Sequence, residues 1–258
     1  MTTIGVMHPG EMGAAIAAAL VQNGHEVGWA SHDRSVATRD RAEREGLKSY
    51  ETLSELAANS EALLSICPPN AAVGLARKLS GFKGMYIDAN AISPASATEI
   101  SRIMRSGGAT YVDGGIVGPP PSKAGATRLY LSGPEAPAVA ELFAGTAVQT
   151  RALTGDPTAA SALKMAYAAW TKGSSALLLA VAEAAERLNV GDALRDEWET
   201  SQAHVLGMLP KAQRNADEKG WRWTGEMEEI AATFEAVGIP GGFHRAAAEI
   251  YAEPSSTE

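Results

Sequence analysis

Hydrophobic and polar positions change period along this chain, and the change divides it. Thr3-Ile4-Gly5-Val6-Met7 is a short apolar run, followed by the turn His8-Pro9-Gly10-Glu11-Met12-Gly13 and an alanine-rich helical pattern from Ala14 to Gln22 that stops at Asn23-Gly24. Apolar runs of strand length recur at His25 to Ala30, Ala62 to Cys67, Met85 to Asp88, Thr110 to Val112 and Arg128 to Leu131. Ala37 to Glu45 reads as a charged, exposed helix, and another helix starts at Ala136. Alternation of this kind predicts a mostly parallel sheet with helices on both faces and right-handed crossovers. From about Asp156 the strand signals stop. Helical periods take over at Pro157 to Leu188, Ala193 to Leu209, Lys211 to Lys219, Thr224 to Val237 and Gly241 to Tyr251, before a polar tail at Pro254 to Glu258 that reads as frayed.

Strand, glycine turn and helix in that order form the phosphate-binding start of a dinucleotide fold. Gly10 lets the backbone approach a pyrophosphate, Gly13 lets helix and strand pack closely, and the free N–H groups of the helix start face the negative charge. His8 stands where the first glycine of G-x-G-x-x-G would be. The expected architecture is an α/β Rossmann-type doubly wound parallel sheet over residues 1–152, followed by an all-α domain over 153–258.

Composition narrows the field without naming a function. The 258 residues are 45% hydrophobic and 20% charged, enough for one large or two modest cores. A net charge of -8 argues against nucleic acid, whose phosphates recruit Lys and Arg, but leaves room for a small anion held by a local positive field. The longest apolar stretch, Ala176 to Ala182, is too short to span a bilayer, no signal peptide is read at Met1-Thr2-Thr3, and the single cysteine, Cys67, suits a reducing compartment. A cytoplasmic protein with no membrane partner is expected. His204 and His244 lack metal-ligand spacing with each other or with Cys67, and there is no Ser/His/Asp nucleophile elbow, so no metal site is expected.

Cofactor candidates fall at strand ends. The turn itself supplies His8, Pro9, Gly10, Glu11, Met12 and Gly13. After the second strand comes Ser31-His32-Asp33-Arg34-Ser35, with Arg39 nearby. Ser31 occupies the place of the acid that would bond a ribose 2′-OH, and Arg34 offers a bidentate partner to a 2′-phosphate. The reading favours NADP(H) over NAD(H), with Asp33 keeping NAD(H) open and a plain solvated loop the competing explanation. Cys67-Pro68-Pro69-Asn70 and Asp88-Ala89-Asn90-Ala91-Ile92-Ser93-Pro94 close further strands and should face the cofactor, with the Asn90 amide, a catalytic as well as a cofactor-binding candidate, directed at its nicotinamide side. The prolines also serve simply to end strands, and Cys67 reads best as a small buried hydrophobe.

Asp113 to Pro121 combines glycines with three successive prolines and reads as a restrained loop. Gly114, Gly115, Val117 and Gly118 are its candidates for contact with a substrate anion, against the alternative of a stiff surface connection. Lys164 is the strongest candidate for chemistry. On an apolar helix it either snorkels to water or, buried near a nicotinamide, moves the proton that balances hydride transfer. Tyr167 and Lys172 follow at one and two turns, as a further catalytic and a substrate-binding candidate. Trp221-Arg222-Trp223-Thr224 reads as the start of an N-capped helix whose tryptophans make a core or subunit contact.

These residues together resemble the 6-phosphogluconate dehydrogenase and β-hydroxyacid dehydrogenase superfamily, over the whole chain. Gly10-Glu11-Met12-Gly13 is similar to its Gly-x-Met-Gly turn, Asp88 to Pro94 to its Asp-x-x-x-Ile-Ser-Pro turn, and Asp113 to Pro119 to its substrate loop. Lys164 falls on the catalytic lysine. The likeness is nearest to a branch that opens His-Pro-Gly-Glu-Met-Gly and carries the Lys172-Gly173-Ser174 and Trp221-Arg222-Trp223 segments in a distinctive C-terminal domain. Three positions depart: His8 for the first glycine, Val117-Gly118-Pro119 for Ser-Gly-Gly, and Ala168 for the asparagine four residues after the lysine. The resemblance implies an NADP(H)-dependent dehydrogenase or reductase acting on a small polar hydroxy or carbonyl metabolite, with Lys164 as general acid/base and a homodimer formed through the helical domain. An imine reductase and a non-catalytic NADP(H)-binding scaffold or sensor are the alternatives that the departures leave open.

Overall fold

The computed structural model describes residues 1–252, so the tail expected at Pro254 to Glu258 lies outside the described residues. The chain divides into two compact units, Met1–Lys164 and Met165–Glu258. In order, the elements are β1 (Thr3–Val6), α1 (Glu11–Gln22), β2 (Glu26–Ala30), α2 (Val36–Arg44), β3 (Lys48–Tyr50), α3 (Leu53–Ala58), β4 (Ala62–Ser65), α4 (Pro69–Lys78), β5 (Met85–Asp88), α5 (Pro94–Ser106), β6 (Thr110–Val117), β7 (Thr127–Ser132), α6 (Ala136–Leu142), β8 (Val148–Ala152), α7 (Ala159–Arg187), α8 (Gly191–Ser201), α9 (Ala203–Ala236) and α10 (Gly242–Ala252).

The first unit holds one eight-stranded sheet ordered β3-β2-β1-β4-β5-β6-β7-β8, parallel throughout except for the antiparallel pair β6–β7. Side chains of successive strand residues point to opposite faces, and the core divides accordingly. Ile4, Val6, Leu64, Ile87 and Val112 pack with Ile16 and Leu20 of α1 and Val139 of α6, while Leu63, Tyr86 and Tyr111 pack with Leu56 of α3, Ala76 of α4 and Ile100 and Met104 of α5. Both faces are therefore covered, which is why the strands are apolar on both sides and not alternating. Pro69 and Pro94 stand at the starts of α4 and α5, where a missing N–H costs nothing, and Ser93 caps α5 by accepting from Ser96 N.

Two short strands escaped the sequence reading. Neither Lys48–Tyr50 nor Val148–Ala152 has a sustained apolar run; each is an outer strand of the sheet, half in water and defined by backbone pairing to β2 or β7. Of the segment read as a restrained loop from Asp113 to Pro121, Asp113 to Val117 is strand and only Gly118 to Pro121 lies outside it. β6 continues to Val117 because β7 pairs with it antiparallel from Asp113↔Ser132 to Val117↔Arg128, and Asp113 through Val117 are buried.

Within the second unit, α9 runs unbroken from Ala203 to Ala236 with Pro210 inside it, correcting the expectation of separate helices and of a capped start at Thr224. Thr224 sits mid-helix with its hydroxyl directed to Gly220 O. At Gly220 a Cβ would lie 3.2 Å from Tyr251 O, so this glycine lets α10 pack against α9. Conversely, the expected helix from Ala193 to Leu209 breaks at Gln202, which has no composition signal. Trp223 meets Tyr251 edge-on at 5.1 Å, Phe234 meets His244 at 4.6 Å, and Leu178, Trp198 and Ala212 form a smaller cluster with Leu194 and Leu206.

Gly13→Ala should be sharply destabilising, because its Cβ would enter the backbone carbonyl of His8; a loss of about 2 kcal/mol or more is expected from such overpacking. Gly74→Ala, in the exposed middle of α4 with nothing within 4 Å, should instead stabilise by roughly 0.5–1 kcal/mol. Urea unfolding of the two variants tests the contrast.

Candidate active site

The strand order reverses between β1 and β4, since the chain leaves β1 towards β2 and β3 and then crosses back to β4. The crevice outside the carboxyl ends at such a reversal is where open α/β sheets take ligands. Two turns open onto it: His8 to Gly10 after β1, and Ile66 to Pro68 after β4. Gly10 is the N-cap residue of α1 and supplies no side-chain cap, so the first N–H groups of that helix are left for another acceptor. A Cβ on Gly10 would meet nothing nearer than the His8 ring at 3.5 Å, so its side towards solvent is open; Gly13 is instead closed by the His8 carbonyl. This is the division of labour a diphosphate requires, one glycine for approach and one for packing.

Beside the turn lies a knot of cations. Arg34 donates through Nη1 to His8 Nδ1 at 3.0 Å, through Nη2 to Met7 O at 3.0 Å and through Nε to Ala30 O at 3.4 Å. Arg41, which the sequence reading passed over, reaches Pro9 O at 3.4 Å and Thr38 Oγ1 at 3.2 Å. It lies seven residues after Arg34, on α2, a charged helix that looked merely exposed. Burial and the charges of Arg34 and Arg41 hold the His8 imidazole below its ordinary pKa. Ser31 directs both its N–H and its hydroxyl to Tyr50 O, at 2.9 and 3.0 Å, so its side chain secures β3. Asp33 has a left-handed backbone, φ 55°, and its carboxylate pairs with His32 in the open.

At the ends of β4 and β5, Asn90 is 2% exposed and its amide is spoken for. It donates to Ser65 Oγ at 2.8 Å and Asp88 Oδ1 at 2.7 Å, and accepts from Cys67 N at 2.6 Å. Asn90 thus ties together the two turns that were expected to face the cofactor. Cys67 is no nucleophile: burial, with the Asp88 charge, pushes its thiol up to about 12. Pro68 and Pro69 begin α4 behind it.

Two carboxyl groups sit next to each other in register, Asp88 on β5 and Asp113 on β6. Asp88 is pushed up to about 7 by burial and by Asp113, against the pull of hydrogen bonds from Asn90 and Tyr111. Asp113 is raised by burial and is bonded differently. Its Oδ2 accepts from Ser161 N at 2.9 Å and Ser132 Oγ at 2.9 Å, and its Oδ1 from Ser161 Oγ at 2.5 Å. Ser132 Oγ in turn accepts from Ala160 N at 3.0 Å. The first turn of α7 is therefore capped by side chains from β6 and β7, a long-range arrangement that no local sequence pattern announces.

That capping sets Lys164, one turn further along. Its Nζ donates to Ile116 O at 2.9 Å, on the stretch of β6 that extends past the carboxyl end of β5. Gly115 makes the approach possible, since a Cβ there would fall 2.7 Å from Ala160 O and 3.0 Å from the Lys164 Cβ. Gly114 backs onto Asp88 O at 2.9 Å, and Gly118 adopts φ 115°. Gly114, Gly115 and Val117 are thus buried packing positions, and the exposed row of N–H donors expected here is absent from them.

Of the remaining candidates, Tyr167 is 46% exposed, and Lys172 is engaged inside the helical unit. Lys172 pairs with Glu226 and lies over the Trp223 ring at 5.5 Å, while its carbonyl accepts from Tyr251 at 2.7 Å. It joins α7 to α9 and α10 and has a structural partner already. Among the described residues no group of His, Cys, Asp and Glu could hold a metal ion, and no helix is long and apolar enough to cross a membrane.

Fold, glycine turn and cation cluster define a dinucleotide-binding protein of the Rossmann class. Residues 3–147 match the family described as the NAD binding domain of 6-phosphogluconate dehydrogenase, and the chain belongs to that family. Residues 185–253 match a domain of unknown function, DUF1932. A Methanothermus fervidus protein described only as an uncharacterised 28.5 kDa protein is 28% identical over 70% of this chain and 70% of its own length. The mitochondrial 3-hydroxyisobutyrate dehydrogenase of Drosophila melanogaster is 29% identical over 50% of this chain and 41% of its own. Among solved structures, a conserved protein of unknown function described as similar to 3-hydroxyacid dehydrogenases aligns with a TM-score of 0.68 at 26% identity over 96% of both chains. The Mycobacterium tuberculosis 3-hydroxyisobutyrate dehydrogenase shares the fold, with a TM-score of 0.67 at 22% identity over 98% of this chain and 93% of that one. The protein is an NAD(P)-dependent oxidoreductase of this family.

Asp88 yields a pH prediction. Its raised folded-state value means that it holds a proton in the native state which the unfolded chain has lost. Its contribution to stability is therefore greatest below the ordinary carboxylate value and declines as pH rises towards about 7. Asp88→Asn keeps an acceptor for Asn90 but cannot ionise, so its stability should fall less steeply than wild type across that interval, as urea midpoints measured from acid to neutral pH would show.

Proposed function

We propose that the protein is an NADP(H)-dependent dehydrogenase or reductase of a small polar metabolite bearing a secondary alcohol or a carbonyl, with Lys164 as general acid/base. The observation that carries this reading is the anchoring of the Lys164 ammonium to Ile116 O, at the carboxyl edge of the dinucleotide-binding sheet. An amine held there can pass a proton to a substrate oxygen or take one from it, and the carbonyl keeps it oriented between turnovers. The bound dinucleotide supplies the hydride or accepts it. Gly10 and the start of α1 would hold its diphosphate, with Gly13 packing the helix onto the strand, and Arg34 and Arg41 are the cations within reach of the turn for a 2′-phosphate. Asn90 acts by fixing the Cys67 and Asp88 turns. The carbonyl reading is preferred to an imine reductase because a lysine ammonium can protonate the developing alkoxide.

A homodimer is proposed on the outer face of α7. Tyr167, Trp170, Leu177, Val181 and Leu188 are all exposed, Trp170 by 76%, and recur at spacings of three, four and seven residues, the pattern of a helix seam that needs a partner. A second copy presenting the same stripe is a self-complementary occupant.

Tryptophan fluorescence should register NADPH binding far tighter than NADH binding; equal affinities would sink the cofactor assignment. On a carbonyl panel, Lys164→Ala should then lose about a hundredfold or more in turnover with NADPH affinity unchanged, and full activity in that variant would remove the lysine from the mechanism. For the dimer, Trp170→Glu combined with Leu177→Glu should sediment as a monomer that still binds NADPH.

A further inference from the structure

The residue that breaks the glycine pattern has a position of its own. His8 stands between the phosphate turn and the cation cluster, with one ring nitrogen facing each. Arg34 Nη1 lies 3.0 Å from His8 Nδ1. A guanidinium only donates, so Nδ1 accepts, and a neutral imidazole then carries its proton on Nε2. The Nε2 edge is the part of the ring that lies over Gly10, 3.5 Å from where a Cβ would be. Arg34 is anchored at three points, His8 Nδ1, Met7 O and Ala30 O, and of these only the first is a side chain. The two carbonyls belong to β1 and β2 ends that any dinucleotide fold possesses; the imidazole is the contact that depends on residue 8. A guanidinium has five N–H donors, and three are used here, which leaves two for a phosphate.

Resting on the NADP(H) reading above, we propose that His8 is a cofactor-specificity residue: its imidazole pre-positions the Arg34 guanidinium for the 2′-phosphate and thereby selects NADP(H) over NAD(H). A glycine at position 8 would leave the turn intact but free the guanidinium to rotate, and ordering it would then oppose binding. His8 is a positioning residue, acting through Arg34, and the pattern break at the first glycine is what makes room for it.

Calorimetric titration with 2′,5′-ADP and 5′-AMP isolates the 2′-phosphate without any substrate or turnover. His8→Gly should weaken 2′,5′-ADP by about tenfold, the loss expected for one charge-assisted contact, and leave 5′-AMP unchanged. His8→Asn, whose Oδ1 takes the place of Nδ1 as acceptor, should restore most of the affinity. In an Arg34→Ala background, His8→Gly should cost nothing more, because the residue acts through the arginine. Equal weakening of both nucleotides, or an additive double variant, would overturn the proposal by showing that His8 only shapes the turn. Preference for 2′,5′-ADP that Arg34→Ala abolishes but His8→Gly retains would overturn this proposal alone. A wild-type protein with no preference at all would overturn it together with the NADP(H) reading.

Discussion

The buried carboxyl group of Asp113 is the constraint on which the placement of Lys164 and the start of α7 depends. It stands on β6 beside Asp88 of β5, and it accepts from the backbone and hydroxyl of Ser161 and from Ser132 of β7. Burying a carboxyl group is costly unless hydrogen bonds replace its water, and here three donors do so. Two strands and the first turn of α7 are thereby held as one piece. Lys164 is placed by that capping and by Gly115, which lets the helix approach β6 until the ammonium meets Ile116 O. Neither device is local: the helix start is satisfied from residues 28 and 48 positions away in sequence.

A second physical theme is charge of opposite sign to the whole. The chain carries a net charge of -8, yet Arg34 and Arg41 converge on the turn after β1, next to helix N–H groups that α1 leaves uncapped. A local positive field of this kind recruits an anion whatever the overall balance. The same cations disfavour protonation of His8, so the imidazole remains an acceptor for Arg34 at neutral pH. Composition argues against polyanionic partners, and the placement of two arginines makes the turn after β1 locally positive in an acidic chain.

Much of the fold was legible because its signals are local. The strand–glycine–helix start and the runs at Leu63, Ile87 and Val112 each follow from apolar residues that must be buried, whereas Pro69 and Pro94, which read as strand ends, also open the helices α4 and α5. What failed to be legible were pairings. β3 and β8 are polar edge segments recruited by a neighbour, and the stretch after Asp113 reads as loop because its glycines permit unusual backbone angles and lead into three prolines, although Asp113 to Val117 pair as strand. In place, Gly114 and Gly115 are required there, since a side chain would strike Asp88 O or Ala160 O. Gly220 serves the helical unit in the same way, leaving room for Tyr251 O within the continuous α9.

The candidate site divides along the same line. Residue type and spacing along the chain were enough to single out the glycine turn, Arg34 and the lysine on α7 as candidates, because each is a short pattern with a chemical reason; Arg41 joins the turn only through the fold. Only the tertiary structure decided what those residues do with one another. Asn90 is turned inward to join two turns, Lys172 is taken by Glu226 and Trp223, Ser31 belongs to Tyr50, and His8 meets Arg34. Hydrogen-bond capacity is finite, so a side chain whose donors and acceptors are filled by the fold has little left for a ligand. Sequence pattern determines which groups are present; which of them remain available is set by contacts between residues far apart in the chain.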